Sequence, residues 1–262
     1  MKRVIMMGIN FHDKKNAFTY ATRDADVSWQ QCIEKMTSIQ GKHVLDIGCG
    51  GGIYTKKLLE MGAGSVTAVD SSSVMLQTTK AMCREYENVH YIVGDATKIP
   101  LEDEQFDIIL SRAVIHHLPN IQAYFKEAYR LLKPSGLLIT QDRTVDDCSL
   151  PGSEHHLRGF FFETFPHLVE KENMRRPSSA AILQWLQHTN FTNITEQKLW
   201  ETRNVYTTKE ALLHDLSLRT GRSILHELSD DEMNMLLHTI SNKIKSEPIT
   251  EQDRWTIWFA QK

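Results

Sequence analysis

Between His43 and Asp142 the apolar residues come in short dense blocks separated by longer amphipathic stretches. The blocks are His43-Val-Leu-Asp-Ile47, Ser65-Val-Thr-Ala-Val69, Val89-His-Tyr-Ile-Val93, Phe106-Asp-Ile-Ile-Leu110 and Gly136-Leu-Leu-Ile-Thr140. They are rich in Val, Ile and Leu with little polar alternation, which is how strands covered on both faces read. The intervening stretches carry helical spacing. Tyr54, Leu58 and Met61 recur at i, i+4, i+7, and Asn120 is placed to cap a helix with the stripe Ile121, Tyr124, Phe125, Ala128, Leu131 and Leu132. The pattern puts Lys133 in the last turn of that helix, with Pro134 and Gly136 ending it. Strand, helix and strand at this cadence make βαβ units with right-handed crossovers, so the chain is predicted to be a doubly wound α/β fold on a mostly parallel sheet.

The flanks are less regular. Residues 1–41 read as a polar helical preamble, a lid set apart from a main domain over 42–262. Residues 144–177 have no clean period and mix Phe160, Phe161, Phe162 and Phe165 with charges and histidines. Ser178 is a candidate cap for a helix facing inward through Ala181, Ile182, Trp185 and Leu186, and Thr192 to about Val205 reads as a weakly alternating strand. Ser229 and Glu232 form a capping box, stapled by Leu228 and Met233, ahead of Leu236, Leu237, Ile240 and Ile244. Trp255-Thr-Ile-Trp-Phe-Ala260 reads as a final strand.

Composition narrows the function classes. Thirty Lys and Arg against 33 Asp and Glu leave a net charge of −3, so there is no basic field for gripping nucleic acid. No apolar run approaches the roughly 18 residues that span a bilayer, and Val4 to Ile9 after Met1-Lys2-Arg3 is too short for a secretory leader. Cys32, Cys49, Cys83 and Cys148 stand apart without a C-x-x-C pair, which argues against a disulfide framework or zinc knuckle. A cytoplasmic protein with reduced thiols, no metal and no membrane or nucleic-acid partner is the expectation.

The densest chemical signal is Val44-Leu-Asp-Ile-Gly-Cys-Gly-Gly-Gly52, where the first strand turns into a helix. Glycines there let backbone N–H groups approach a ligand closely. Gly48 and Gly50 begin a dinucleotide fingerprint, but its third glycine position falls on Ile53, and the loop has no Lys for a Walker A cradle. Asp70 ends the second strand, 22 residues beyond Gly48, where an acid can accept both hydroxyls of an adenosine ribose. Gly94-Asp95-Ala96 ends the third strand and offers a carboxylate for an exocyclic amine. All lie at the carboxyl ends of adjacent strands, where open α/β sheets bind ligands. The common ligand is an adenosine compound without a pyrophosphate.

Taken with Ala68-Val69-Asp70-Ser71-Ser72, Phe106 to Leu110, Ser111 to Leu118 and Leu131-Leu132-Lys133-Pro134-Ser135-Gly136, these motifs resemble the class I S-adenosylmethionine-dependent methyltransferases, in particular the broad group containing the ubiquinone and menaquinone C-methyltransferases. The resemblance covers roughly residues 40–142, with Ser135 where the family usually has Gly. It implies a seven-stranded sheet, with Trp255–Ala260 as an antiparallel seventh strand, and substrate-side insertions at about 144–177 and 207–250. It implies S-adenosyl-L-methionine as cofactor, S-adenosyl-L-homocysteine as product, and a small-molecule acceptor methylated at O, N or C. By position, Gly48, Cys49 and Gly50 would pack on the methionine part, Asp46 would orient its ammonium, and Asp70 would hold the ribose. Ser71 and Met75 would flank the adenine, Asp95 and Ala96 would read its edge, and Ser111 and Arg112 would close the site.

Each assignment has a plainer rival. The glycine loop can be a bare turn, although four glycines cost backbone entropy that a turn does not need. Asp70 and Asp95 suit helix N-caps. His116 and His117 are candidate general bases if the nucleophile arrives protonated, or else a turn cap and a packed ring. Tyr20, Arg23 and Trp29 can form a lid, Tyr20 or Trp29 facing the cofactor's sulfur and Arg23 its carboxylate, or belong to a surface helix with buried aromatics. The Phe160–Phe165 cluster either lines an acceptor pocket or packs under a loop, and Glu154, His155 and His156 read as a solvated loop without metal-site spacing. At the level of function the alternatives are a cofactor-binding protein without catalysis, acting as a sensor or assembly factor, an RNA or protein methyltransferase, and a dehydrogenase. The missing third glycine disfavours the last.

Overall fold

The five apolar blocks become the parallel core of one seven-stranded sheet in the computed structural model, which describes residues 24–262. The strands are β1 (His43–Ile47), β2 (Ser65–Asp70), β3 (Val89–Val93), β4 (Phe106–Arg112), β5 (Leu132–Asp142), β6 (Thr192–Tyr206) and β7 (Ile249–Gln261), in the order β3-β2-β1-β4-β5-β7-β6. β1 to β5 pair in parallel, and β7 runs antiparallel between β5 and β6. The order reverses beside β1, so the ends of β1 and β4 flank the crevice where such sheets take ligands.

β1, β2, β4 and β5 are covered on both faces of the sheet, which explains why they read as unbroken apolar runs. β3, read from its sequence as covered on both faces, lies instead at the sheet edge and leaves all five of its residues partly or fully exposed. On one face α1 (Val27–Met36) and α2 (Ile53–Glu60) contribute Trp29, Ile33, Leu58 and Leu59 to a core with Val44, Val66 and Leu110, and α3 (Ser73–Met82) packs on β2 and β3. On the other, α4 (Ile121–Leu131) and α8 (Ser179–His188) bury Tyr124, Phe125, Leu131, Ile182 and Leu186 against Leu45, Ile109 and Leu138. β7 shows the period of two directly, with Ile257 and Phe259 in the first core and Trp258 and Ala260 in the second. α4 ends at Leu131, so Lys133 is already in β5 rather than in the helix. Ser135 adopts a left-handed φ of 64°, the conformation for which a glycine is the cheaper residue.

The irregular stretches form a cap with its own core. Residues 144–177 fold into α5 (Val145–Cys148), α6 (Leu157–Thr164) and α7 (His167–Arg175), joined later by α9 (Lys209–Ser217) and α10 (Asp230–Lys243). Phe160, Phe161, Phe162 and Phe165 pack there with Leu212, Leu216, Met233, Leu236 and Ile240. These phenylalanines therefore make the cap cohere instead of lining a pocket. The capping box of Ser229 and Glu232 and the Asn120 and Ser178 caps form as the spacing predicts.

The last strand starts earlier than its aromatic run suggests. β5 ends where Asp142 pairs with Thr256, but β6 and β7 continue paired from Leu199 and Trp255 to Tyr206 and Ile249. This two-stranded extension projects past the ends of the parallel strands and brings Glu201, Arg203, Glu251, Asp253 and Trp255 beside the crevice. No helix among the described residues is long and apolar enough to cross a membrane.

Candidate active site at the carboxyl ends of the strands

A cavity of about 410 Å³ opens over the ends of β1, β2, β4 and β5, between the sheet and the cap. Its floor is the glycine loop. Gly48 and Cys49 donate backbone N–H groups to the Val69 carbonyl at 2.7 and 3.1 Å, tying the loop to β2. Gly48 has φ +73°, and a Cβ there would stand 2.2 Å from Val114 Cγ2. Gly52, at the start of α2, has φ +88°, and its Cβ would meet the Thr79 Cα at 2.8 Å. Gly52 thus serves the close approach of α2 and α3, which accounts for its arriving one step before the dinucleotide position.

Three carboxylates surround this floor. Asp46, at 2% exposure, accepts from Thr55 Oγ1 at 2.6 Å, and no cation pairs with it among the described residues. Burial pushes its carboxyl up to about 7, with the Thr55 hydrogen bond opposing and the charge of Asp70 adding to the rise. Asp70 accepts from the backbone N–H groups of Gly50 at 3.0 Å and Ser72 at 2.8 Å. Asp95 accepts from both the N–H and the hydroxyl of Thr97 at 2.7 Å, which holds its carboxyl below the usual range. Neither aspartate is a helix N-cap: Ser72 caps α3, and the Asp95 turn leads into no helix.

The opposite wall is basic. Arg112, at the end of β4, donates to Glu201 at 2.7 Å and lies 4.3 Å above Tyr54 and 4.0 Å above Trp255. Next to it Ala113 adopts a left-handed φ of 58°, a conformation that costs a non-glycine residue energy and lies directly on the cavity wall. His116 places Nδ1 2.8 and 2.9 Å from the two oxygens of Asp142, which also accepts from Arg176 Nη1 at 2.9 Å. Burial of Asp142 would raise its carboxyl, but His116 and Arg176 hold it well below the usual range. Burial likewise lowers His116 against the pull of Asp142, and lowers His117 to about 3 with the help of His116. Both rings are therefore neutral at pH 7. With Nδ1–H donating to Asp142, the lone pair of His116 resides on Nε2, the acid–base geometry in which one group orients the base.

Residues 45–140 match the model of the methyltransferase domain family. Those residues carry the sequence pattern of a methyltransferase domain. That domain is 36% identical over 107 residues to the ubiquinone biosynthesis O-methyltransferase of Coxiella burnetii, a match covering 40% of this chain and 45% of that protein. It is 34% identical over 115 residues to the demethylmenaquinone methyltransferase of Tropheryma whipplei, covering 44% and 47%. The match thus spans about half the length of these relatives. Among solved structures, a phosphoethanolamine N-methyltransferase 2 of Haemonchus contortus, in complex with phosphomonomethylethanolamine and S-adenosylhomocysteine, superposes with a TM-score of 0.61 at 20% identity, over 97% of this chain and 60% of that one. At that identity the likeness is one of fold.

The fold brings most of the sequence-derived candidates to one place. Asp46, Gly48, Cys49, Gly50, Asp70, Ser71, Met75, Asp95, Ala96, Arg112, His116 and His117 all line the cavity. Ser111 is fully buried in β4 and does not line it. Tyr20 and Arg23 lie outside the described residues. Of the two readings of Trp29 the structure follows packing, since the ring is fully buried and meets Tyr54 edge-on at 4.8 Å. His156 is buried against Trp200 rather than solvated, and Glu154 accepts from the Lys245 N–H and the Ser246 hydroxyl. Among the described residues no group of three or more His, Cys, Asp or Glu is arranged to hold a metal.

Sequence reasoning missed Asp142 as the partner of His116, and it missed the cap-side arginines and Trp255. Arg143 had a usable signal, because it directly follows the end of β5, where strand ends face the ligand. Arg158, Arg176 and Arg203 had none, each resembling an ordinary surface charge until the cap is folded over the sheet.

Proposed function

We propose that the protein transfers a methyl group from S-adenosylmethionine to O, N or C of a small-molecule acceptor. The observation that carries this reading is the spacing of Asp46, Asp70 and Asp95 around one cavity over the glycine loop. Asp46 is a sealed carboxyl without a cation, which suits the cofactor's ammonium. Asp70, braced by two backbone N–H groups, suits the ribose hydroxyls, and Asp95 with Ala96 suits the adenine edge. The likeness to the ubiquinone biosynthesis O-methyltransferase of Coxiella and the demethylmenaquinone methyltransferase of Tropheryma supports a small organic acceptor. The Haemonchus structure, bound to S-adenosylhomocysteine, supports the cofactor.

The bound cofactor supplies a methyl group activated on a sulfonium. The chain contributes orientation and exclusion of water, the terms that dominate when two reactants need only meet in line. For an acceptor that arrives protonated, His116 supplies a neutral imidazole whose Nδ1 is pinned by Asp142, leaving Nε2 to take the proton. For an unprotonated amine, the same ring serves as wall.

The test is thermal unfolding with S-adenosylmethionine, S-adenosylhomocysteine and NAD, followed by transfer of radiolabelled methyl groups into a metabolite extract. Ligand at about a hundred times its dissociation constant adds roughly 2.7 kcal/mol, which is on the order of 5–10 °C for a chain of this size. A shift with both S-adenosyl compounds, none with NAD, and label in small molecules is the expected result. A shift without any labelled product favours a binding protein that lacks catalysis, and no shift at all overturns the cofactor assignment.

A further inference from the structure

The cavity is divided by charge. The carboxylates lining it, Asp46, Asp70 and Asp95, all sit at the ends of β1 to β3, and its arginines, Arg112, Arg143, Arg158, Arg176 and Arg203, all line the other half. They converge from β4, the end of β5, α6, the end of α7 and β6, so no single stretch of sequence accounts for the accumulation. Most of this charge is answered locally: Arg112 by Glu201, Arg176 by Asp142 and Glu172, and Arg203 by Glu251 and the Thr220 carbonyl.

Around Asp253 the account does not balance. Arg143 Nη2 donates to Asp253 Oδ2 at 2.6 Å and Arg158 Nε donates to Oδ1 at 3.1 Å, so one carboxylate stands between two guanidinium groups. Both arginine side chains are nearly sealed, at 8% and 5% exposure. Arg143 Nε is buried without an acceptor among the described residues. The Arg143 guanidinium is packed 3.7 Å above the Trp255 ring, which fixes its plane. Burial, and then the charge of Arg158, pull Arg143 down to about 9, the mark of a cation short of an anion. An uncompensated buried charge is expensive, and a wholly apolar acceptor would leave it so. An arginine fork is the side chain that best fits an oxyanion.

We propose that the acceptor is an anionic small molecule whose carboxylate or phosphate group docks on Arg143 and Arg158, on the cap side of the cavity. The proposal rests on the methyl-transfer reading, because it assigns this half of the cavity to the acceptor and the carboxylate half to the cofactor. The cofactor's own carboxylate is the rival occupant, but Arg112 borders the cofactor half and is the arginine placed to meet it.

The experiment titrates the full chain with inorganic phosphate, phenyl phosphate, benzoate and uncharged benzyl alcohol at constant ionic strength, with and without saturating S-adenosylhomocysteine, and reads thermal unfolding and calorimetric heat. Saturable stabilisation by anions and none by benzyl alcohol is expected, with benzoate against phenyl phosphate deciding which oxyanion fits better. Arg143→Gln removes the excess charge and leaves Arg158 paired with Asp253, so it folds with parent-like or higher stability while anion affinity falls at least tenfold. Arg158→Lys keeps the charge, loses the fork, and weakens anions by a smaller factor. S-adenosylhomocysteine affinity stays within twofold in both. The proposal is overturned if no anion binds saturably, if Arg143→Gln binds anions like the parent, or if it loses S-adenosylhomocysteine to the same degree. Failure of the parent to bind S-adenosylhomocysteine while anions still bind overturns the cofactor assignment instead.

Discussion

Asp46→Asn removes a carboxyl that burial has raised to about 7 from an ordinary value of 3.8. In the cofactor-free protein this acid keeps its proton in the folded state and loses it in the unfolded one between those two values. Stability from this group is therefore fullest below about pH 4 and is lost as pH rises through about 7, by on the order of 4 kcal/mol in all. An ammonium brought against Asp46 reverses the balance and expels the proton. With a value of about 7, binding should release about 0.9 proton at pH 6 and about 0.1 at pH 8, and affinity should be about tenfold weaker at pH 6, or about 1.4 kcal/mol. Calorimetric titration of S-adenosylhomocysteine in buffers of different ionisation enthalpy, at pH 6, 7 and 8, reads the proton count directly. In Asp46→Asn the release should vanish, overall affinity should drop by about 1.5–3 kcal/mol at pH 8, and the free protein should be more stable than the parent at that pH. A parent that binds at pH 6 without releasing a proton, or a variant that releases as many, would refute the pairing of Asp46 with the ammonium.

Asp70→Ala removes the acceptor for Gly50 and Ser72 together with the ribose contact. It should weaken S-adenosylhomocysteine by about 1.5–3 kcal/mol in calorimetry, and parent-like affinity would show the ribose assignment to be wrong. Gly52→Ala forces a side chain into a left-handed φ and against the α3 backbone. It should cost about 1–2 kcal/mol for the conformation alone, before any clash, and a urea midpoint equal to the parent's would contradict this packing of α2 on α3. Asp142→Asn leaves His116 and Arg176 without their shared carboxylate and should cost about 3–5 kcal/mol by urea unfolding at pH 7. Because that carboxyl is depressed, its contribution is complete above the ordinary value of 3.8 and disappears as pH falls toward the folded one. The loss on mutation should therefore shrink in acid, and a loss that does not change with pH would point to packing instead.

The fold of the central region was readable because its signals are local. Val, Ile and Leu blocks report the parallel strands, and the glycine loop and the aspartates reach one cavity by their position at the ends of those strands. Asp46, Asp70 and Asp95 needed only the rule that parallel strands present their carboxyl ends together. The cap was not readable in the same way. Phe160, Phe161 and Phe162 are consecutive in α6 and all buried, since helices cover that element on several sides and erase the amphipathic period. β6 likewise alternates weakly, being one of the two edge strands and buried only at Glu201 and Tyr206.

What the order of residues settles here is the scaffold and the carboxylate half of the cavity, for both depend on neighbours within a strand and the turn that follows it. The arginine half depends on contacts across long stretches of chain: Arg112 with Glu201, His116 with Asp142, and Arg143 and Arg158 with Asp253. A charged residue carries no mark of whether it will be solvated or sealed opposite another. Only closing the cap and the β6–β7 extension over the sheet removes water from these groups, and with it gone their charges become chemistry.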